Sequence, residues 1–188
     1  YNPDEKKLIP PLEVKWNFSG YSFSSAAVYG EKVLIRSGGY LYSLNSLDGS
    51  VNWTYNYSQP TPHSSPAIYG DSVYIGNRVG PYDTCINCSI QALDLSTGIL
   101  RWEIKLPRGA LDPTVVDGTV YFGSDDGFLR AVDSLTGQLL WTSLKLGNGV
   151  ISIPVVTEGK VFAGTDKGKV YALDTSNGDI LWNYSLGG

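Results

Sequence analysis

The 188 residues contain no methionine, one histidine (His63) and two cysteines (Cys85 and Cys88). The two cysteines form a lone Cys-x-x-Cys in PYDTCINCS; with no second pair and only His63 to add, they fall short of a tetrahedral zinc site. Thioredoxin-type chemistry would need this spacing at a helix start inside a βαβ unit, and no helical periodicity surrounds it. A small disulfide loop is the simplest reading, with unpaired thiols as the alternative. No apolar run reaches the ~18 residues of a membrane helix, so no membrane span is expected within this segment. A net charge of −4 without a basic stripe argues against nucleic acid as a partner. The missing methionines, with scarce Gln and Cys, fit a thermophilic source.

What is present is an ordinary globular composition, 42% hydrophobic and 17% charged, long enough for a real core. The chain opens at Tyr1 rather than Met, so removal of a leading segment such as a signal peptide is expected. Export is further suggested by Asn-x-Ser/Thr acceptor sites at Asn17, Asn52, Asn56, Asn87 and Asn183, five of the ten asparagines. A Ser/Thr-rich β surface is the other explanation of that density. These sites carry the expectation of N-linked glycans and of an extracellular or cell-surface location.

One fifteen-residue phrase occurs four times. GYLYSLNSLDGSVNW (39–53), CSIQALDLSTGILRW (88–102), GFLRAVDSLTGQLLW (127–141) and GKVYALDTSNGDILW (168–182) align without a gap. Tryptophans at 16, 53, 102, 141 and 182 lie 37, 49, 39 and 41 residues apart, a period near that of propeller blades. Ahead of each phrase come a short apolar strand, a turn carrying Gly30, Gly70, Gly118 or Gly159, and a β-branched strand. Four antiparallel strands per unit predict an all-β propeller domain over 16–188, with blades ending at Trp53, Trp102, Trp141 and Trp182. Residues 1–15 read as an extended, proline-containing lead-in.

The columns of the phrase have physical reasons. The third (Leu41, Ile90, Leu129, Val170) and fifth (Ser43, Ala92, Ala131, Ala172) share one strand face, the fifth being small enough to admit a neighbouring blade. The seventh (Asn45, Asp94, Asp133, Asp174) is followed four residues later by Gly49, Gly98, Gly137 and Gly178. An Asx side chain can accept turn amides and Gly supplies a positive φ, so these acids read as turn chemistry before catalysis or calcium. The closing Trp is read as an apolar wedge between twisted sheets. Asp125, Asp126 and Asp166 fall where hairpins should turn. Blade two alone inserts GNRVGPYDTCINCS, and a long loop on a rigid scaffold is a place for recognition.

VYFGSDDGFLRAVDSLTGQLLW resembles the repeat of pyrroloquinoline-quinone-like β-propellers, a family that includes quinoprotein alcohol dehydrogenases, an outer-membrane assembly lipoprotein and the sensor regions of some kinases. The resemblance spans residues 16–182 and implies the fold; chemistry would have to be grafted onto it. Family quinoproteins hold their cofactor and Ca²⁺ in the funnel of a larger, typically eight-bladed ring, beneath a disulfide of adjacent cysteines. Here Ile86 and Asn87 separate the cysteines, and no matching ligand set or catalytic Asp can be placed. We therefore expect no catalytic, cofactor or metal residues and no bound cofactor. The expected function is an exported, non-enzymatic binding or assembly module. Its partners would be other proteins or further blades, and an open blade edge offers a route to homo-oligomers. A partial quinone-dependent dehydrogenase and the sensor domain of a membrane kinase are the alternatives. Lys15–Ser19 resembles the outer strand of a blade whose other strands are missing, which favours a parent ring of six to eight blades.

Overall fold

The computed structural model describes residues 14–20, 24–57, 64–78, 87–150 and 152–187. Blade one comprises β1 (Ala27–Tyr29), β2 (Lys32–Ser37), β3 (Tyr40–Asn45) and β4 (Val51–Asn56). Blade two comprises β5 (Ala67–Tyr69), β6 (Ser72–Asn77), β7 (Ser89–Asp94) and β8 (Leu100–Lys105). Blade three is built from β9 (Thr114–Val116), β10 (Thr119–Gly123), β11 (Leu129–Asp133) and β12 (Leu139–Thr142). Blade four follows with β13 (Val155–Thr157), β14 (Lys160–Gly164), β15 (Lys169–Asp174) and β16 (Ile180–Ser185). Each blade is a four-stranded antiparallel sheet in sequence order, the fold expected from the repeats.

The Asx–Gly turns form as the columns predict. Asp94 Oδ1 accepts the Ser96 and Thr97 amides, and Asp133 Oδ1 accepts those of Leu135 and Thr136. Asn45 and Asp174 hold the Leu47 and Ser176 amides in the same way. The glycine then closes the turn with a positive φ and donates to the Asx carbonyl, as in Gly137 N to Asp133 O at 2.9 Å. Every blade also shifts register in the pairing of its third strand with its fourth, between Ser43 and Leu44, Ala92 and Leu93, Ala131 and Val132, and Ala172 and Leu173. That irregularity comes just before the turn and sharpens the local twist.

The tryptophan wedges inward with a defined seat. Trp53, Trp102 and Trp141 each lie against the turn glycine of the following blade, where a methyl group on Gly98, Gly137 or Gly178 would come within 2.6, 2.8 or 2.5 Å of the indole. Each indole N–H donates to the carbonyl three residues before that glycine: Trp53 to Leu95 at 3.1 Å, Trp102 to Ser134 at 2.9 Å, Trp141 to Thr175 at 2.8 Å. Around these seats lie three core clusters, one at each junction of consecutive blades. The fifth-column alanines, Ala92 and Ala131, are fully buried within two of them.

Among the described residues, residues 14–20 pair with no strand. Trp16 nevertheless behaves as a blade's closing Trp: it packs on Gly49 and donates to Ser46 O at 3.0 Å. Phe18 follows it onto Tyr42, ring centroids 4.9 Å apart.

Replacing Gly137 by Ala is expected to cost roughly 2–4 kcal/mol, since it combines positive-φ strain with a collision on Trp102. Gly159→Ala, at φ 70° with nothing within 4 Å, should cost only about 1 kcal/mol. Denaturant unfolding of both variants separates the seat from the backbone. A second expectation concerns acid. Hydrogen bonds from Arg101 and Thr97 pull the Asp94 carboxyl down to about 2, and Thr136 and Ser176 shift Asp133 and Asp174 the same way. Folded values below the unfolded ~3.9 mean that this stabilisation is complete above pH ~4 and is lost as pH falls towards 2. Melting temperature should therefore hold from pH 8 to 5 and fall between about 4 and 2, less steeply in Asp94→Asn.

Candidate functional site on the loop face

In an antiparallel blade, the link between the second and third strands and the link to the next blade emerge at the same end. That end gathers residues 37–40, 124–128 and 165–168 with the inter-blade segments 106–113, 143–150 and 152–154. The Asx–Gly turns occupy the opposite end. Blade two's insertion opens on the loop end too, after β6, although residues 79–86, Cys85 among them, lie outside the described residues, as does His63. Two features depart from repeat symmetry here.

The first is Arg36, only 1% exposed. In blade alignment it occupies the position of Gly76, Gly123 and Gly164. Gly76 and Gly123 have no side chain because the next blade's lead-in backbone, at Leu111 and Val150, lies directly against them. At the first junction Arg36 fills that space instead. Its guanidinium donates to Ser64 O at 3.1 Å, Gly76 O at 2.7 Å and Asn77 Oδ1 at 2.8 Å, and lies 4.2 Å from the Tyr57 ring centroid. A planar donor fork with weak hydration suits such burial. Desolvation lowers the Arg36 pKa, opposed by Tyr57 and Asp112. The network continues from Asn77 to Gln91 (2.9 Å), from Gln91 to Glu103 (2.6 Å), and from Lys105 to Glu103 (2.9 Å). Among the described residues, Arg36 Nε and Tyr57 Oη have no hydrogen-bond partner. A cavity of about 240 Å³ lies beside this network, with Tyr57, Gln91, Glu103, Asn56 and Asn87 in its wall.

The second is a cleft of about 580 Å³ at the loop end of blade three, between the links that enter and leave it, lined by Arg108, Asp125, Asp126, Phe128, Arg130 and Lys145. Arg78, from the first residue of the blade-two loop, bonds Asp125 Oδ2 through Nε at 2.6 Å. Arg130 grips both carboxylate oxygens of Asp126, at 3.1 and 2.6 Å. Burial raises the Asp125 pKa, with Arg78 and Arg108 opposing it. With Arg78 the cleft holds four cations and two carboxylates, a locally positive site on a chain of net charge −4. Both carboxylates are engaged by arginines and so are poorly placed as general bases. Such a site suits binding of anionic groups more than bond-making chemistry.

Asn17, Asn52, Asn56, Asn87 and Asn183 are all solvent-exposed. Asn52 and Asn56 lie on β4 and Asn183 on β16, while Asn87, at φ 70°, precedes β7. Asn56 and Asn87, on different blades, come together at the same cavity, which sequence spacing does not reveal. Cys88 is buried. Among the described residues no group of three His, Cys, Asp or Glu could hold a metal ion, and no helix is long and apolar enough to cross a membrane. Sequence reasoning missed Arg36 and the Arg78–Asp125 pair. The signal for Arg36 was one arginine in a column of glycines.

Comparison with known proteins follows the fold closely. A family profile described as outer membrane protein assembly factor BamB matches residues 13–109 and again 87–188. The outer membrane protein assembly factor BamB of Yersinia pestis is 30% identical over 165 residues, covering 75% of this chain and 40% of the relative. A quinoprotein alcohol dehydrogenase of Pseudomonas putida is 38% identical over 69 residues, 36% of this chain and 11% of that enzyme. The crystal structure of BamB from Moraxella catarrhalis superposes with a TM-score of 0.65 at 20% identity, over 90% of this chain and 63% of the other. This chain thus spans two fifths of the length of its Yersinia relative. The repeat, the blade architecture and a match over nearly every residue agree that the chain belongs to the BamB-type family of pyrroloquinoline-quinone-like β-propellers.

Proposed function

We propose that this chain is a non-catalytic propeller segment of a cell-envelope or cell-surface protein, and that it binds other proteins through its loop face. The observation that carries the reading is the arginine-lined cleft of about 580 Å³, whose carboxylates are already ion-paired and in which, among the described residues, cations outnumber carboxylates. Likeness to relatives named as assembly factors supports a binding role over an enzymatic one. The quinoprotein likeness runs through the strand and turn columns that keep the fold and transfers no reaction.

Export, glycan occupancy and the loop disulfide belong to the same proposal. Exposure of all five acceptor asparagines supports glycan attachment, and the burial of Cys88 without a free thiol supports its pairing with Cys85. On Asn56 and Asn87 the glycans would crowd one cavity, so occupancy of one disfavours the other.

The test uses envelope extract of the source organism and the immobilised chain. Charge reversal at the cleft, Arg108→Glu with Lys145→Glu, is expected to lower recovery of co-purifying protein at least tenfold, while Leu140→Glu on the periphery leaves it unchanged. Intact mass should show hexose-type increments and a loss of two hydrogens relative to the reduced chain. Alcohol-dependent dye reduction after addition of pyrroloquinoline quinone and Ca²⁺ would overturn the non-catalytic reading.

A further inference from the structure

Blades two and three meet through aliphatic side chains near the loop end, where Ile104 and Leu106 pack against the core of their junction. In blade alignment the same two positions of blade one are Tyr55 and Tyr57. Both face blade two, so two rings with hydroxyl tips stand where the next junction has plain hydrocarbon. Blade two answers with Gln91, Glu103 and Lys105, and a cavity of about 240 Å³ lies between the two walls. It is a break in the repeat, not a product of it.

The polar wall is fixed by a chain of hydrogen bonds that runs in one direction. Arginine only donates, so Asn77 presents Oδ1 to Arg36 and turns Nδ2 towards Gln91 Oε1. Gln91 in turn donates from Nε2 to Glu103, which Lys105 also reaches. Asn77 and Gln91 are 2% and 6% exposed, so these groups are held before any ligand arrives. Glu103 and Lys105 bond each other at 2.9 Å, leaving a wall with one charge of each sign. Tyr57, 7% exposed, lines the other wall with its Oη unpartnered among the described residues. Burial raises its pKa, so the hydroxyl keeps its proton and can both donate and accept.

We propose that this cavity binds the ring of a neutral sugar. A pyranose carries the two chemistries that the walls offer: C–H faces for the tyrosine rings, and hydroxyls that donate and accept for Gln91, Glu103 and Tyr57. The space is that of about eight waters, below the ~300–1,000 Å³ of pockets for drug-sized ligands, so it takes one ring and leaves a longer saccharide outside. A charged ligand of either sign meets a wall already neutralised, and an apolar one leaves Tyr57 Oη without a partner. Asn56 and Asn87, both acceptor positions, line the same cavity, so the sugar has two sources: a saccharide from outside the chain, or a glycan carried on one of these asparagines. Protein binding at the cleft plays no part in this inference, and only the second source rests on glycan occupancy.

The test uses the 188-residue chain from a host that attaches no N-glycans, with glucose, galactose, mannose and N-acetylglucosamine as probes in ligand-observed saturation-transfer NMR. At least one probe should receive saturation, and Tyr55→Ala, at a half-buried ring, should weaken its binding tenfold or more. Tyr57→Phe is the sharper variant. It removes a hydroxyl with no partner among the described residues, so the melting temperature should hold or rise slightly while affinity falls at least threefold. Glycosylated chain that binds no probe, and regains binding after enzymatic glycan removal, identifies the attached glycan as the occupant; equal binding by glycosylated chain assigns the cavity to an external saccharide. Saturation of none of the four probes overturns the proposal. So does saturation undiminished in both tyrosine variants, since the sugar would then sit elsewhere.

Discussion

The seating of one indole on one glycine is the contact on which the rest of the architecture depends. A twisted four-stranded sheet cannot lie flat on its neighbour, and the gap widens towards the periphery. Trp, with the largest apolar area and a single N–H, fills that gap and finds one acceptor within it. The accepting residue is fixed from two sides. The Ser134 amide donates to Gly118 O in the first hairpin of its own blade, while its carbonyl takes the indole of Trp102 from the blade before. Leu95 and Thr175 repeat the arrangement with Asp71 and Gly159. Each seat thus ties two turns of one blade to the outer strand of another. A change at the glycine is felt in both.

This double duty explains how much of the fold was legible in the sequence. Alternation, the small fifth column and the Asx-to-Gly spacing each arise from contacts within one blade, so a single repeat displays them. The positive φ of Gly137 was readable for that reason; the need for empty space above it was not, because the occupant, Trp102, belongs to another repeat. The lead-in shows the same division. Its Trp16 was recognisable by sequence, but strand pairing depends on a partner sheet, and among the described residues the segment keeps the wedge without the ladder.

The loop face was less legible because it is built from exceptions. Asp125 and Asp126 were placed correctly in a hairpin turn, and that reading assigned them to turn geometry alone. The engagement of Asp125 appears only once Arg78 of blade two reaches blade three, whereas Arg130 grips Asp126 from within blade three itself. Arg36 is the sharper case. Burying a guanidinium without a carboxylate is tolerable only when backbone and amide oxygens surround it, as Ser64, Gly76 and Asn77 do. At the next two junctions the equivalent positions, Gly76 and Gly123, have lead-in backbone directly against them.

Repetition and function therefore divide the chain between them. Residues that recur in register hold blades together, and their acids and aromatics are committed to that task before any chemistry. Binding capacity must come from positions where the register breaks: an arginine in a glycine column, a loop some ten residues longer than its sisters, and Trp182, a wedge with no seat among the described residues. The first two stand at the loop end and shape polar cavities; the third stands on a sheet face and is apolar. Partners of different chemistry suit them, and the two surfaces do not overlap.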